Sequence, residues 1–281
     1  MLERNALKNA IVIFDGDVAA EELMELIPRE FDGDIVIHGD LIVDVVNFDI
    51  TGNLWIDGDI WAAASELSIY GSIVCKNIVA YAVTVYDYIE AYQCKVQENL
   101  VVHTNCYVDC ITANTVKVKG DVHATEIEGD VLEVDGDIIA SEISFYNIKA
   151  NKSICCNIIM SLGKVEVNGS VYAEVDLRVC DMVVNGNVIM HNGYAKCDFL
   201  TCSGSIESNT EINASKIIAD ELYGCYVYVT HIEVTKIKAV IITAHDIKAT
   251  DYVFADEIEA HDIVSNNIMC DSLNCHKVTK S

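Results

Sequence analysis

The sequence predicts an all-β fold, a single-stranded parallel β-solenoid with three sides, and three observations carry that prediction. Gly-Asp recurs before an aliphatic residue, as in Gly33-Asp34-Ile35, Gly58-Asp59-Ile60, Gly120-Asp121-Val122 and Gly136-Asp137-Ile138. In the C-terminal third, bulky apolar residues fall five apart at Ile212, Ile217, Leu222, Val227, Ile232, Ile237, Ile242, Ile247 and Tyr252, then after one extra residue at Ile258, Ile263, Ile268, Leu273 and Val278. Two positions after most of them stands a small residue, such as Ala214, Ala239, Ala249 or Ala260. Successive residues of an α-helix rotate by about 100°, so positions five apart drift by about 140° and share no face. Short strands with two inward residues, joined by Gly, Asp or Asn corners, collect them all.

The elements follow in order. In residues 1–30, Ile11-Val12-Ile13-Phe14 reads as a strand and Asp15-Gly16 as a turn. Asp17 is placed to N-cap a short helix through Ala20, Leu23, Leu26 and Ile27, with Pro28 ending it. A solenoid exposes unpaired backbone at each end, so residues 1–30 are expected to be an N-terminal cap on a coil of residues 31–281. Three sides of five residues give a 15-residue rung, four sides a 20-residue rung. His245, His261 and His276 each stand two residues before a member of the 15-residue stack Ile247, Ile263 and Val278, which favours three sides. Rungs of 15 to 17 residues make roughly 15 turns, about 70 Å long at ~4.8 Å per strand. The stretches Trp61 to Ser65 and Met190 to Phe199 interrupt the beat; a longer corner is one reading of each, and a simple bulge is the stronger one. Nothing like a cap follows Val278, so the C-terminal end is expected to be open.

Composition sets limits on function. Among 281 residues, 44 are acidic and 18 basic, a formal charge of −26. Direct binding to nucleic-acid backbones or anionic membranes depends on Lys and Arg, and is excluded on this balance. A chain that is 52% hydrophobic with a single Pro is not disordered. No apolar run reaches the length of a membrane span, and the start lacks a secretory pattern. A cytoplasmic location is therefore expected, with the 12 cysteines reduced.

Three constellations invite a chemical reading. The Asp-Gly-Asp triplets at 15–17, 32–34, 57–59 and 135–137 suggest calcium, but none continues into an EF-hand loop, and corner formation is the stronger reading. The cysteines contain no Cys-x-x-Cys pair, and Cys270 and Cys275 fall on the small inward position, so core filling is expected. His245, His261 and His276, with His231 near the same stack, would form a ladder one rung apart, able to hold a transition metal; a plain surface ladder is the alternative. No catalytic, cofactor or metal residue is assigned on this basis.

The run Gly120-Asp121-Val122-His123-Ala124, continuing from Gly129-Asp130-Val131 to Ile143, resembles the bactofilins, bacterial cytoskeletal proteins. That resemblance implies a right-handed, three-sided β-helix and assembly between copies; the spacing alone is equally compatible with either hand. The strict fives and the units Ala244-His245-Asp246-Ile247 and Ala260-His261-Asp262-Ile263 resemble pentapeptide-repeat proteins, some of which are acidic mimics of nucleic acid that bind DNA-binding enzymes.

The expected function is that of a non-enzymatic structural or interaction scaffold. Its partner is expected to be a second copy, in a homodimer or larger assembly, met at the C-terminal end through Ile263, Ile268, Leu273 and Val278. An acidic nucleic-acid mimic is the alternative, and a β-helix acyltransferase a more distant one.

Overall fold

The computed structural model describes residues 11–27, 31 and 33–280. The chain divides into two compact units, Met1–Ala140 and Ser141–Ser281.

Among the described residues of the first unit, strands pair in parallel with strands a turn later in sequence. One column of partners runs Leu54, Ile73, Ile89, Cys106, Val122 and Ile138. A second runs Ile60, Ile78, Cys94, Ile111 and Ile127. A third runs Phe48, Leu67, Val83, Leu100, Val116 and Leu132. Three columns per turn make a three-sided parallel β-solenoid and dismiss the four-sided rung. Each side contributes two inward residues, as with Ile89 and Ala91, Cys94 and Val96, and Leu100 and Val102, all buried. Burying one Ile or Leu in this way is worth roughly 1.5–3 kcal/mol.

The corners show why Gly-Asp recurs. A Cβ on Gly39 would lie 2.4 Å from the carbonyl carbon of Gly16, and one on Gly136 would lie 2.5 Å from that of Gly120. Backbone of one turn therefore packs directly on backbone of the last. The Asp beside each Gly then serves the next turn: Asp17 Oδ1 accepts from the Asp40 amide at 2.9 Å, Asp40 Oδ1 from Asp59 at 2.8 Å, and Asp121 Oδ1 from Asp137 at 2.8 Å. Such bonds occupy corner amides that the strand ladders leave over.

The second unit keeps the plan with fewer carboxylates. Its columns include Ile154, Val171, Val188 and Ile206, and Val165, Met182, Leu200 and Ile217. Ser153 Oγ, Ser170 Oγ and Asn187 Oδ1 accept from the amides of Ser170, Asn187 and Ser205 at 3.1, 3.0 and 2.9 Å. Beyond this, Ser205–Thr279 is a single strand assignment of 75 residues that bends through its corners without a break. Ion pairs between Lys236 and Glu221 at 2.9 Å and between Lys248 and Glu233 at 2.6 Å, each 15 residues apart, confirm the turn length there. Ile217, Ile232, Ile247 and Ile263 are all buried at inward positions.

Four expectations need adjustment. The strand Ile11–Asp15 pairs in parallel with Asp34–His38, so it belongs to the coil and is not a separate cap. Among the described residues only the seven-residue helix Ala20–Leu26 is added, and its N-cap is Ala19, without a side-chain cap bond; Asp17 is engaged with Asp40 instead. Pro28, expected to end the helix, lies outside the described residues, as does Asp32 of the second Asp-Gly-Asp triplet. Partnered strands define about 11 turns against the roughly 15 expected. The early turns are longer, 19 residues from Leu54 to Ile73, and within Ser205–Thr279 successive turns are not delimited by separate strands. The extra residue in the five-residue beat precedes position 252, because Val253 is fully buried and Tyr252 only half-buried.

The two irregular stretches are smaller than long corners, since Trp61 to Ser65 stays within the strand Ile60–Ile69 and Tyr194 to Phe199 within Tyr194–Cys202. Between Ala62 and Glu66 the register with the next turn slips, and the buried Ser65 hydroxyl donates to the Val43 carbonyl at 3.2 Å. His191 to Gly193 break the strand between Met190 and Tyr194, and a Cβ on Gly193 would lie 1.8 Å from the Val175 carbonyl oxygen. Among the described residues no helix is long and apolar enough to cross a membrane.

The corner geometry predicts an asymmetry between glycines. Gly136→Ala should destabilise the protein by about 1–3 kcal/mol, since the added methyl meets backbone that cannot move aside. Gly224→Ala should cost less, because its nearest neighbour is the Val227 side chain at 2.9 Å. Urea unfolding of the two variants measures the difference; equal losses would contradict it.

Candidate functional site

The histidine column lies on the outer face of the second unit. Each histidine stands one or two residues before an inward Ile or Val, so the alternation of the strand and the position of the corner place all four imidazoles outside. All four are exposed. His245 and His261 stack with ring centroids 4.9 Å apart and planes 11° from parallel, and His261 and His276 stack at 4.8 Å and 12°. These separations are the strand spacing itself. His231, 14 residues before His245, meets that ring edge-on at 6.0 Å.

Sequence reasoning singled out the histidines and missed their partners. Asp246 Oδ2 accepts from His231 Nδ1 at 2.7 Å, and Asp246 Oδ1 from His245 Nδ1 at 3.0 Å, so one carboxylate bridges two turns. Burial acts to raise the Asp246 pKa, but the bonds and charges of His245 and His231 outweigh it and hold the carboxyl below its ordinary value. Asp262 Oδ1 lies 3.2 Å from His261 Nδ1. The signal was present in the repeated Ala-His-Asp-Ile unit, in which the Asp follows the His into the same corner. Lys277 follows His276, so the last ring has no such neighbour.

The first unit carries a comparable aromatic ladder that the sequence reading did not isolate. Tyr70 stacks on Tyr86 at 4.5 Å, and Tyr86 on His103 at 4.5 Å. Its only sequence trace is the 16- and 17-residue spacing of the three rings. Elsewhere in this unit His38 donates from Nδ1 to Asp57 Oδ2 at 2.6 Å, and this bond raises the His38 pKa.

The expected association residues divide. Ile263 is buried in the core and Ile268 is half-buried, whereas Leu273 and Val278 are 43% and 49% exposed although they continue the inward columns. Met269 and Phe254 lie beside them in a shallow depression. The Asp-Gly-Asp corners, considered for calcium, spend oxygens of Asp17, Asp34 and Asp59 on the amides or side chains of the next turn.

The cysteines fill space. Cys75, Cys94, Cys106, Cys156, Cys197 and Cys202 are buried. Burial pushes the Cys94 thiol up to about 12 and raises Cys106 well above its ordinary value. A thiol held neutral is a poor nucleophile and a poor metal ligand. Alkylation of the native protein should therefore label exposed Cys155 while sparing Cys94, Cys106 and Cys197 by at least tenfold in rate, as peptide mapping by mass spectrometry would show. Equal labelling before denaturation would contradict the burial.

Comparison of the chain with protein-family models, with curated proteins and with solved structures finds no match in any of the three. The fold therefore rests on the parallel registers and inward columns, and the bactofilin resemblance on corner and core residues alone.

Proposed function

We propose that this protein is a non-enzymatic scaffold, cytoplasmic and with reduced thiols, whose solenoid associates with a second copy of itself through the turn that carries Ile268, Leu273 and Val278. The exposure of Leu273 and Val278 carries the reading. Equivalent columns elsewhere in the second unit, such as Ile217, Ile232 and Ile247, are nearly inaccessible. A parallel coil covers each turn with the next, so an inward residue half open to water marks a turn without such a cover among the described residues. A second copy offers the matching surface: apolar rows at the same spacing and a strand edge able to add backbone hydrogen bonds. Contact of this turn with itself gives an isologous dimer. Ile263 supports the interface from beneath, as the buried residue 15 positions before Val278, the spacing of the stacked His261 and His276.

The acidic-mimic reading has less support. It draws on the charge of −26, but corner carboxylates such as Asp17, Asp40 and Asp121 accept backbone amides and so serve the fold first.

Light scattering of the purified protein at micromolar concentration should give twice the chain mass or more. Leu273→Lys with Val278→Lys should return it to a monomer, since the pair would bring two like charges from each copy into the contact. A wild-type monomer, or an assembly unaffected by the double substitution, would overturn the proposal.

A further inference from the structure

We propose that the histidine column binds divalent transition-metal ions of the zinc, nickel and copper class, at two adjoining sites formed by His231, His245 and Asp246 and by His261, Asp262 and His276. In each trio the candidate ligand atoms lie within 4.8 Å of one another. Imidazole nitrogens and a carboxylate oxygen are the donors these metals take, at about 2.0–2.2 Å. A tetrahedral ion of that size requires donors about 3.4 Å apart. Closing the remaining distance is a matter of small side-chain rotations, which exposed rings on a fixed backbone can make. In the second trio three protein donors leave a fourth position for water; in the first, where both Asp246 oxygens take Nδ1–H bonds, the two imidazoles are the protein donors and two positions remain.

Two further observations point to a cation. Asp262 Oδ1 is closed to solvent and makes no hydrogen bond among the described residues, despite lying 3.2 Å from His261 Nδ1. The Asp262 side chain is 42% exposed as a whole, and an ion at this oxygen would supply the partner it lacks. In the other trio, Asp246 receives Nδ1–H from both His231 and His245, which fixes the tautomer that leaves each Nε2 free as a donor. The two trios thus offer the same chemistry in two arrangements, with the carboxylate either joining the ligands or orienting them.

Both sites cross from one turn to the next. His231 and His245 are 14 residues apart, and His261 and His276 are 15. Each ion would tie two turns together, the second including the turn with Leu273 and Val278. His38 and Asp57 make the same kind of contact at 2.6 Å with a single imidazole, and provide an internal control.

Cobalt(II) titration of the full-length chain, followed by its visible spectrum and by equilibrium dialysis, tests the proposal, because cobalt distinguishes imidazole from thiolate ligands. Binding of one or two ions is expected with ligand-field bands and no sulfur charge-transfer band, displaced by zinc but not by an equal concentration of calcium. His245→Gln with His261→Gln should weaken binding at least tenfold, and His38→Gln should leave it unchanged. These side chains are exposed, so circular dichroism and metal-free unfolding should match the parent. Undiminished binding in the double variant, a thiolate spectrum, displacement by calcium, or no binding would each overturn the assignment.

Discussion

From Gly39 to Gly204 the turns depend on one close contact, backbone stacked on backbone at a corner of successive turns. A parallel ladder fixes the strand separation at about 4.8 Å, and the chain must change direction three times per turn without widening that gap. Glycine at the corner removes the only atom that would prevent it, as the 2.4 Å approach behind Gly39 shows. With the corners closed, inward residues of neighbouring turns fall into register, and the apolar columns pack without further instruction. Outward residues fall into register as well. The stacked tyrosines of the first unit and the stacked histidines of the second are results of the same geometry.

That geometry explains what could be read from the sequence. The spacing of five, the small residue two places on, and the recurring Gly-Asp are direct consequences of a three-sided coil, and between Ile212 and Ile263 they located the inward residues with the exception of Tyr252. The limits were local. Tyr252 has the right spacing to face inward, yet Val253 does, because a β-branched residue fits the interior column better than a phenol with a hydroxyl to satisfy. Asp17 has the composition of a helix cap, but the coil needs its carboxylate for Asp40, and a bond to the fold's own ladder displaced the cap.

The candidate site was half legible for a similar reason. Histidine spacing close to the turn length announced the column, while Asp246 and Asp262 passed unnoticed because acidic residues are so frequent in this chain. Only the geometry separates these two carboxylates from the rest. The corner acids Asp17, Asp40 and Asp121 bond to backbone amides, whereas Asp246 bridges imidazoles of two turns. The difference is one of address, since a carboxylate on the outer face after a histidine cannot reach the corner amide that its counterparts serve.

The corner bonds also have a direction. Asp17 holds an amide of Asp40, Asp40 one of Asp59, and Asp121 one of Asp137, always the earlier residue accepting from the later. At these corners each turn therefore presents a side-chain acceptor to the turn that follows, while backbone amides such as Val18 and Leu41 donate forward to Asp40 and Asp59. An array built this way can be completed in the order in which a ribosome delivers it, every new turn settling on a template already folded. Length then becomes an easily inherited variable: a turn duplicated within the gene brings its own acceptor and finds one waiting.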